Sequence, residues 1–164
     1  MGIFIVSLTT KLADVDFPVD SPYWMRYGDI FVSRGNTPDL VGRAAVYQGI
    51  PPKCAMPDLL IRIRMNLELA DSNFVARYFH SSEARNYIES KVTGTSPTMK
   101  KISQPKLEAM PVPVPSLTDQ RRLVAYLDGL QAKVDELRRL QAATQKELDA
   151  LMPSILAKAF AGEL

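Results

Sequence analysis

The run MPVPVPSLTDQRRLVAYLDGLQAKVDELRRLQAATQKELDALM, residues 110–152, decides the architecture, because two incompatible backbone regimes meet inside it. Pro111, Pro113 and Pro115 alternate with valines. Proline at every second position removes the amide donors a helix needs and holds the chain extended. Directly afterwards Ser116-Leu117-Thr118-Asp119 supplies a helix N-cap and an acid in the first turn. From there to Leu151 there is no proline, and Gly129 is the only glycine.

The helical part has a period. Leu123, Leu127, Leu130, Val134 and Leu137 recur at alternating spacings of four and three, and after Gln141 and Thr144 the pattern resumes at Leu148, Leu151 and Ile155. A repeat of about 3.5 residues marks a supercoiled seam, not a helix lying on a globular core. Such a stripe cannot bury itself, so a partner helix is expected along it. The polar layer of Gln141 and Thr144 is a device of register or orientation, since polar seam residues cost stability. Pro153 is expected to break this helix or to start a new one, with Ser154–Phe160 as a short terminal helix before Gly162.

Upstream, the sequence reads as mixed α and β. Asp29–Ser33, Arg43–Tyr47 and Leu59–Arg64 have strand character, the last alternating apolar residues with arginines. Ser72–Tyr78 and Glu83–Lys91 read as helices, and Ser33–Leu40 and Thr93–Thr98 as loops rich in turn-formers. The expected fold class is α+β: a small mixed domain over residues 1–110, a Pro-rich connector over 111–116, and a long coiled-coil helix with a short terminal helix over 117–164.

Bulk properties exclude several classes. An apolar fraction of 46% is that of a folded chain. No window approaches the roughly 18 apolar residues of a membrane span, and the opening MGIFIVSLTT lacks the basic flank of a signal peptide. The lone Cys54 cannot form an internal disulfide, which fits a reducing compartment, so a cytoplasmic location is expected. The net charge of +2 is unevenly spread: Arg26–Lys101 holds 11 basic and 7 acidic residues, whereas Ser116–Leu164 holds 7 of each. The excess positive charge lies in the front domain, where it permits phosphate contacts.

Catalytic chemistry leaves few traces. One histidine, His80, and one cysteine exclude a His/Cys zinc site within one chain, and no phosphate-cradling glycine pattern is present. His80, at the end of an apolar helical stretch, reads as structural. Asp58 with Glu89 and Lys91 imitates the carboxylate–lysine set of metal-dependent nucleases. In those enzymes the acid-x-lysine pair lies on a strand; here it falls in a helical segment, where residues two apart diverge, and the nuclease reading is rejected. The DNA-contact candidates lie in the two polar loops: Arg34, Asn36 and Thr37 with Arg43 shortly after, and Thr95, Lys100 and Lys101. Small hydroxyl residues beside glycine let backbone amides approach phosphates, and Arg and Asn can read purine edges bidentately. Composition alone favours two ordinary solvent loops. Arg62 and Arg64 share one strand face, which either lines a groove or is simply solvated.

Three stretches carry a resemblance. KISQPKLEAMPVPVPSLTDQRRLVAYLDGL (residues 101–130) and LMPSILAKAFAGEL (151–164) resemble the conserved region of type I restriction–modification specificity subunits: a proline connector, the acid–glutamine helix start Asp119-Gln120, heptads, and the Ala-Phe-x-Gly-Glu-Leu ending from Ala159. YGDIFVSRGNTPDLVGRAAVY (27–47) and TGTSPTMKKIS (93–103) resemble strands and a small-residue loop of the same family's target-recognition domain, with a weak extension back to Leu8-Thr9-Thr10. The resemblance implies a non-catalytic subunit binding double-stranded DNA and docking methyltransferase and restriction subunits. S-adenosylmethionine, ATP and magnesium would then belong to those partners, with no cofactor or metal on this chain. Full-length members are expected to hold two recognition domains and two antiparallel helices. One of each implies a half-subunit that pairs with a copy of itself into an antiparallel homodimer, with the domain's front shortened or replaced by residues 1–26. The competing reading is a coiled-coil scaffold, or a regulator of restriction-complex assembly, without DNA binding of its own.

Overall fold

A computed structural model describes residues 18–50, 54–96 and 98–162. The expectations for Leu8–Thr10, for most of the 1–26 segment, and for Glu163 and Leu164 of the terminal motif lie outside those residues. The chain divides into two compact units, one running to Val124 and the other starting at Ala125.

In the first unit a three-stranded antiparallel sheet has the order β3-β1-β4, with β1 Ile30–Ser33 in the centre, β3 Ala44–Val46 on one side and β4 Leu60–Ile63 on the other. All three fall within the segments that the sequence reads as strands. β1 is buried because it is paired on both edges: Ile30 faces Val46 and Ile63, and Val32 faces Ala44 and Ile61. The Ser33–Leu40 stretch is less loop-like than its composition predicts, since Gly35–Asn36 form β2 and pair antiparallel with β5, Lys100–Lys101.

Two helices cover the sheet. In α1, Ser72–Tyr78, the Asp71 carboxylate accepts from the amides of Asn73 (2.9 Å) and Phe74 (3.1 Å). In α2, Ser82–Lys91, the Ser81 hydroxyl accepts from the Ala84 amide. Each cap satisfies amides that the first helical turn leaves without partners. The core joins Ile30, Val32, Val41, Phe79, Ile88 and Ile102. A short helix α3, Gln104–Glu108, adds Leu107, and Met110 follows it into the core. The proline connector forms neither helix nor strand and is tied down: the Tyr78 hydroxyl donates to the Pro111 carbonyl at 3.0 Å, and Val112 packs against the core.

Arg62 of β4 and Arg64 just beyond it do not line an open groove together. Arg62 is turned inward: its Nη1 donates to the Trp24 carbonyl (3.0 Å) and its Nη2 to the Pro22 carbonyl (2.6 Å). Arg62 and Arg64 both approach the buried Asp29 carboxylate, at 3.8 and 3.9 Å. The shared face seen in the sequence is real; a buried carboxylate and a strap of chain, Pro22–Trp24, occupy it.

Helix α4 runs unbroken from Leu117 to Phe160. Its start is the predicted capping arrangement: the Ser116 hydroxyl donates to Asp119 at 2.6 Å and accepts from the Asp119 amide at 3.2 Å. The expected break at Pro153 does not occur, and no separate terminal helix forms. A helix-interior proline costs about 3 kcal/mol by losing one bond and crowding the preceding turn. Here strong helix formers flank it, Ala150 to Met152 before and Leu156 to Lys158 after, and its fixed φ is already helical. No helix among the described residues is long and apolar enough to cross a membrane.

Candidate nucleic-acid interface

Arg34, Asn36, Lys100 and Lys101 come from loops more than sixty residues apart, and backbone pairing brings them together. Gly35 opposes Lys101 and Asn36 opposes Lys100 across the β2–β5 ribbon. The Arg34 amide donates to the Leu59 carbonyl (2.8 Å), and the Arg34 carbonyl accepts from the Ile102 amide (2.9 Å). Thr93 and Lys101 exchange two backbone bonds, both 2.8 Å, closing the Thr93–Lys101 segment into a hairpin beside β2. Directly opposed antiparallel residues share a face, so Asn36 and Lys100 project together. Arg34 and Lys101 are exposed, and among the described residues their side-chain charges have no ion-pair partner. A cationic ribbon of this kind suits the edge of a polyanion.

The other candidates differ in freedom. Thr37 is exposed, and its amide donates to the Asn36 side-chain oxygen at 2.8 Å. Thr95 is exposed at the hairpin tip. Lys100 folds back to donate to the Gly94 carbonyl at 2.8 Å. Arg43 is half-buried, and its Nε donates to the Asp39 carbonyl at 2.9 Å, which ties it to its own loop. That loop is further braced by Arg85, which donates to the carbonyls of Val41 (2.7 Å) and Pro38 (3.2 Å). Thus the structure gathers Arg34, Asn36, Lys100 and Lys101 on the ribbon, sets Thr37 and Thr95 in its flanking loops, and leaves Arg43 as a brace.

Gly94 is the residue that composition underrates. Its φ of +132° is open to glycine and strained for any other residue, and a Cβ there would lie 2.7 Å from the Met99 carbonyl oxygen. Gly94→Ala is therefore expected to open the hairpin without unfolding the core. Hydrogen exchange at the Thr93 and Lys101 amides should accelerate by roughly tenfold or more. Unchanged exchange there would show that the hairpin tolerates the methyl group.

Residues weighed for catalysis are placed otherwise. Glu89 and Lys91 both lie on α2, and Glu89 sits 3.9 Å from Arg85 one turn away. No three His, Cys, Asp or Glu side chains among the described residues are grouped to hold a metal ion. The His80 Nε2 donates to the Ala44 carbonyl at 2.9 Å, a structural tie between the end of α1 and β3. Burial pushes its pKa below the ordinary histidine value, outweighing that bond.

A second surface lies on α4. Leu123, Leu127, Leu130, Val134, Leu137, Leu148 and Leu151 are all exposed on the single chain, from 39% at Val134 to 59% at Leu137. A contiguous exposed apolar stripe of this length is the kind of surface that marks a site of interaction. One seam neighbour has the opposite character. Gln120 is fully buried, and all of its amide is used: its oxygen accepts from the Asp71 amide (2.8 Å), and its nitrogen donates to the carbonyls of Leu69 (3.0 Å) and Pro115 (2.7 Å). It pins the first turn of α4 to the N-cap of α1. Sequence reasoning singled out Gln120 by resemblance alone.

No protein-family model matches the chain. It is 28% identical over 151 residues to the StySPI type I restriction enzyme specificity subunit of Salmonella potsdam, covering 92% of this chain and 32% of that protein. It is 30% identical over 139 residues to the EcoKI specificity subunit of Escherichia coli, covering 84% and 30% respectively. Among solved structures, the crystal structure of the HsdS subunit from Thermoanaerobacter tengcongensis aligns with a TM-score of 0.64 and 28% identity, over 82% of this chain and 34% of that one. A chain from a structure of type I R-M complex assembly and conformational transition aligns with a TM-score of 0.65 and 30% identity, over 86% and 32%. The chain therefore spans about a third of the length of the relatives it matches.

Proposed function

From the premise that this chain belongs to the specificity-subunit family of type I restriction enzymes, we propose that it reads a DNA sequence. It binds double-stranded DNA through the β2–β5 ribbon and its flanking loops and performs no chemistry itself. It positions methyltransferase and restriction subunits, which would carry S-adenosylmethionine, ATP and magnesium. Two copies pair antiparallel through α4, so that two reading domains address the halves of a symmetric split site. The observation that carries this reading is the conjunction of a cationic ribbon with an exposed heptad stripe. One element suits phosphates and base edges, and the other demands a helix alongside.

Lysines on phosphates act without regard to sequence, whereas an arginine or asparagine on a base edge acts at one position. Lys100→Ala with Lys101→Ala is expected to weaken binding to all duplexes. It should flatten the logarithmic salt dependence by about 2, near 0.9 for each phosphate released. Gel shifts across a salt series measure both, and an unaltered slope would remove the ribbon from the interface. Absence of any salt-sensitive shift by the unmodified chain would favour the scaffold reading instead. Light scattering at micromolar concentration should give the mass of a dimer; a stable monomer would count against self-pairing.

A further inference from the structure

The seam of α4 is mirrored about its own middle. Leu130, Val134 and Leu137 precede Gln141 and Thr144, and Leu148, Leu151 and Ile155 follow them, at spacings that read the same from either end. A two-fold antiparallel contact presents the same surface to itself in reverse, so a mirrored stripe is complementary to a second copy. Resting on the antiparallel self-pairing proposed above, we infer that two copies lock in the one register that sets Gln141 of each against Thr144 of the other. The two-fold axis then falls between Ala142 and Ala143. Leu137 meets Leu148, Val134 meets Leu151, and Leu130 meets Ile155.

The alternatives fail on named contacts. Sliding one heptad keeps the same number of apolar layers, because Leu123 and Leu127 replace what is lost. It sets Gln141 against Leu137 and Thr144 against Val134, however, leaving an amide and a hydroxyl facing apolar side chains without reciprocal bonds. It also brings Arg138 against its own copy across the axis. The slide would seat Leu123 and Leu127, which the chosen register sets opposite Gly162 and Lys158, and would gain a pair of exposed Lys133–Glu147 contacts, which contribute little in water. A parallel pair sets Lys133 beside Arg138 on both flanks, like against like. In the chosen register Arg138 lies beside Gln145 and Lys133 beside Ser154, with no like-charge opposition. The polar layer thereby sets a length: the two Gln120 anchors lie about 68 Å apart along the paired helices, at roughly 1.5 Å per residue.

Cysteine cross-linking of the full chain tests the register. Cys54 is buried, so the unmodified chain serves as the blank. Leu130→Cys, Leu137→Cys and Leu148→Cys are made singly, each is checked for dimer mass, and pairs are co-expressed and oxidised. Leu137→Cys with Leu148→Cys should give at least tenfold more covalent dimer than either alone. Linkage of Leu130→Cys with Leu148→Cys in its place would overturn the register while leaving antiparallel pairing intact. Linkage by Leu137→Cys alone would mean a parallel pair and would bring down both proposals. As a second measurement, Gln141→Leu with Thr144→Leu should free the seam, so that the Leu130–Leu148 product rises to a comparable yield. An unchanged pattern would show that the polar pair does not set the register.

Discussion

Replacing Gln120 with leucine is expected to lower the stability of the front unit by about 3 kcal/mol, because three backbone groups lose the partner that this fully buried side chain supplies. The Asp71 amide and the Leu69 and Pro115 carbonyls each depend on this one side chain. An unpaired buried group costs about 1–3 kcal/mol, and partial relaxation keeps the sum near the lower bound. For a unit of this size the midpoint of thermal unfolding should fall by roughly 15 °C. Trp24, the single tryptophan, lies in the same unit and reports the transition. Gln120→Glu is a sharper comparison: its carboxylate can still accept from Asp71 but can donate to neither carbonyl, so it should be no better than leucine. A loss below about 1 kcal/mol in both variants would mean that water can replace the amide and that Gln120 is not the pin.

The second large effect is expected at Arg62. Arg62→Ala should cost about 3 kcal/mol in denaturant unfolding, since charged donors to carbonyls contribute about 1.5–3 kcal/mol each and two are removed together. The change also strips one cation from the buried Asp29 and leaves it with the exposed Arg64. Arg62→Lys restores the charge without the planar fork and should recover only a minor part of the loss. Because the Trp24 carbonyl is one of the two acceptors, the native fluorescence of Trp24 should shift in both variants. An unshifted spectrum with full stability in Arg62→Ala would show that the Pro22–Trp24 strap is held by other contacts.

Both sites expose the same limit of reading along a chain. Arg62 and Arg64 announce a strand face by alternation, but whether that face meets water, DNA or another part of the chain depends on where Pro22–Trp24 passes. Gln120 sits one turn before the heptad seam and looks like a surface residue of that helix. It is buried because the connector and the N-cap of α1 happen to meet there. The DNA candidates show the converse: Arg34, Asn36, Lys100 and Lys101 could be named from residue type, yet only pairing between β2 and β5 brings them onto one ribbon.

What residue order determined by itself was local and periodic. The strand segments, the helix cap at Ser116, the proline connector and the 3.5-residue stripe all follow from rules acting within a few residues. The stripe's exposure in the single chain follows too, because a seam of that period cannot cover itself. Tertiary structure alone decided the rest: the ribbon across sixty residues, the inward turn of Arg62, the burial of Gln120 and the continuity of α4 through Pro153. Each is a competition between a local preference and contacts brought by distant chain, and such a competition has no signature in adjacent residues.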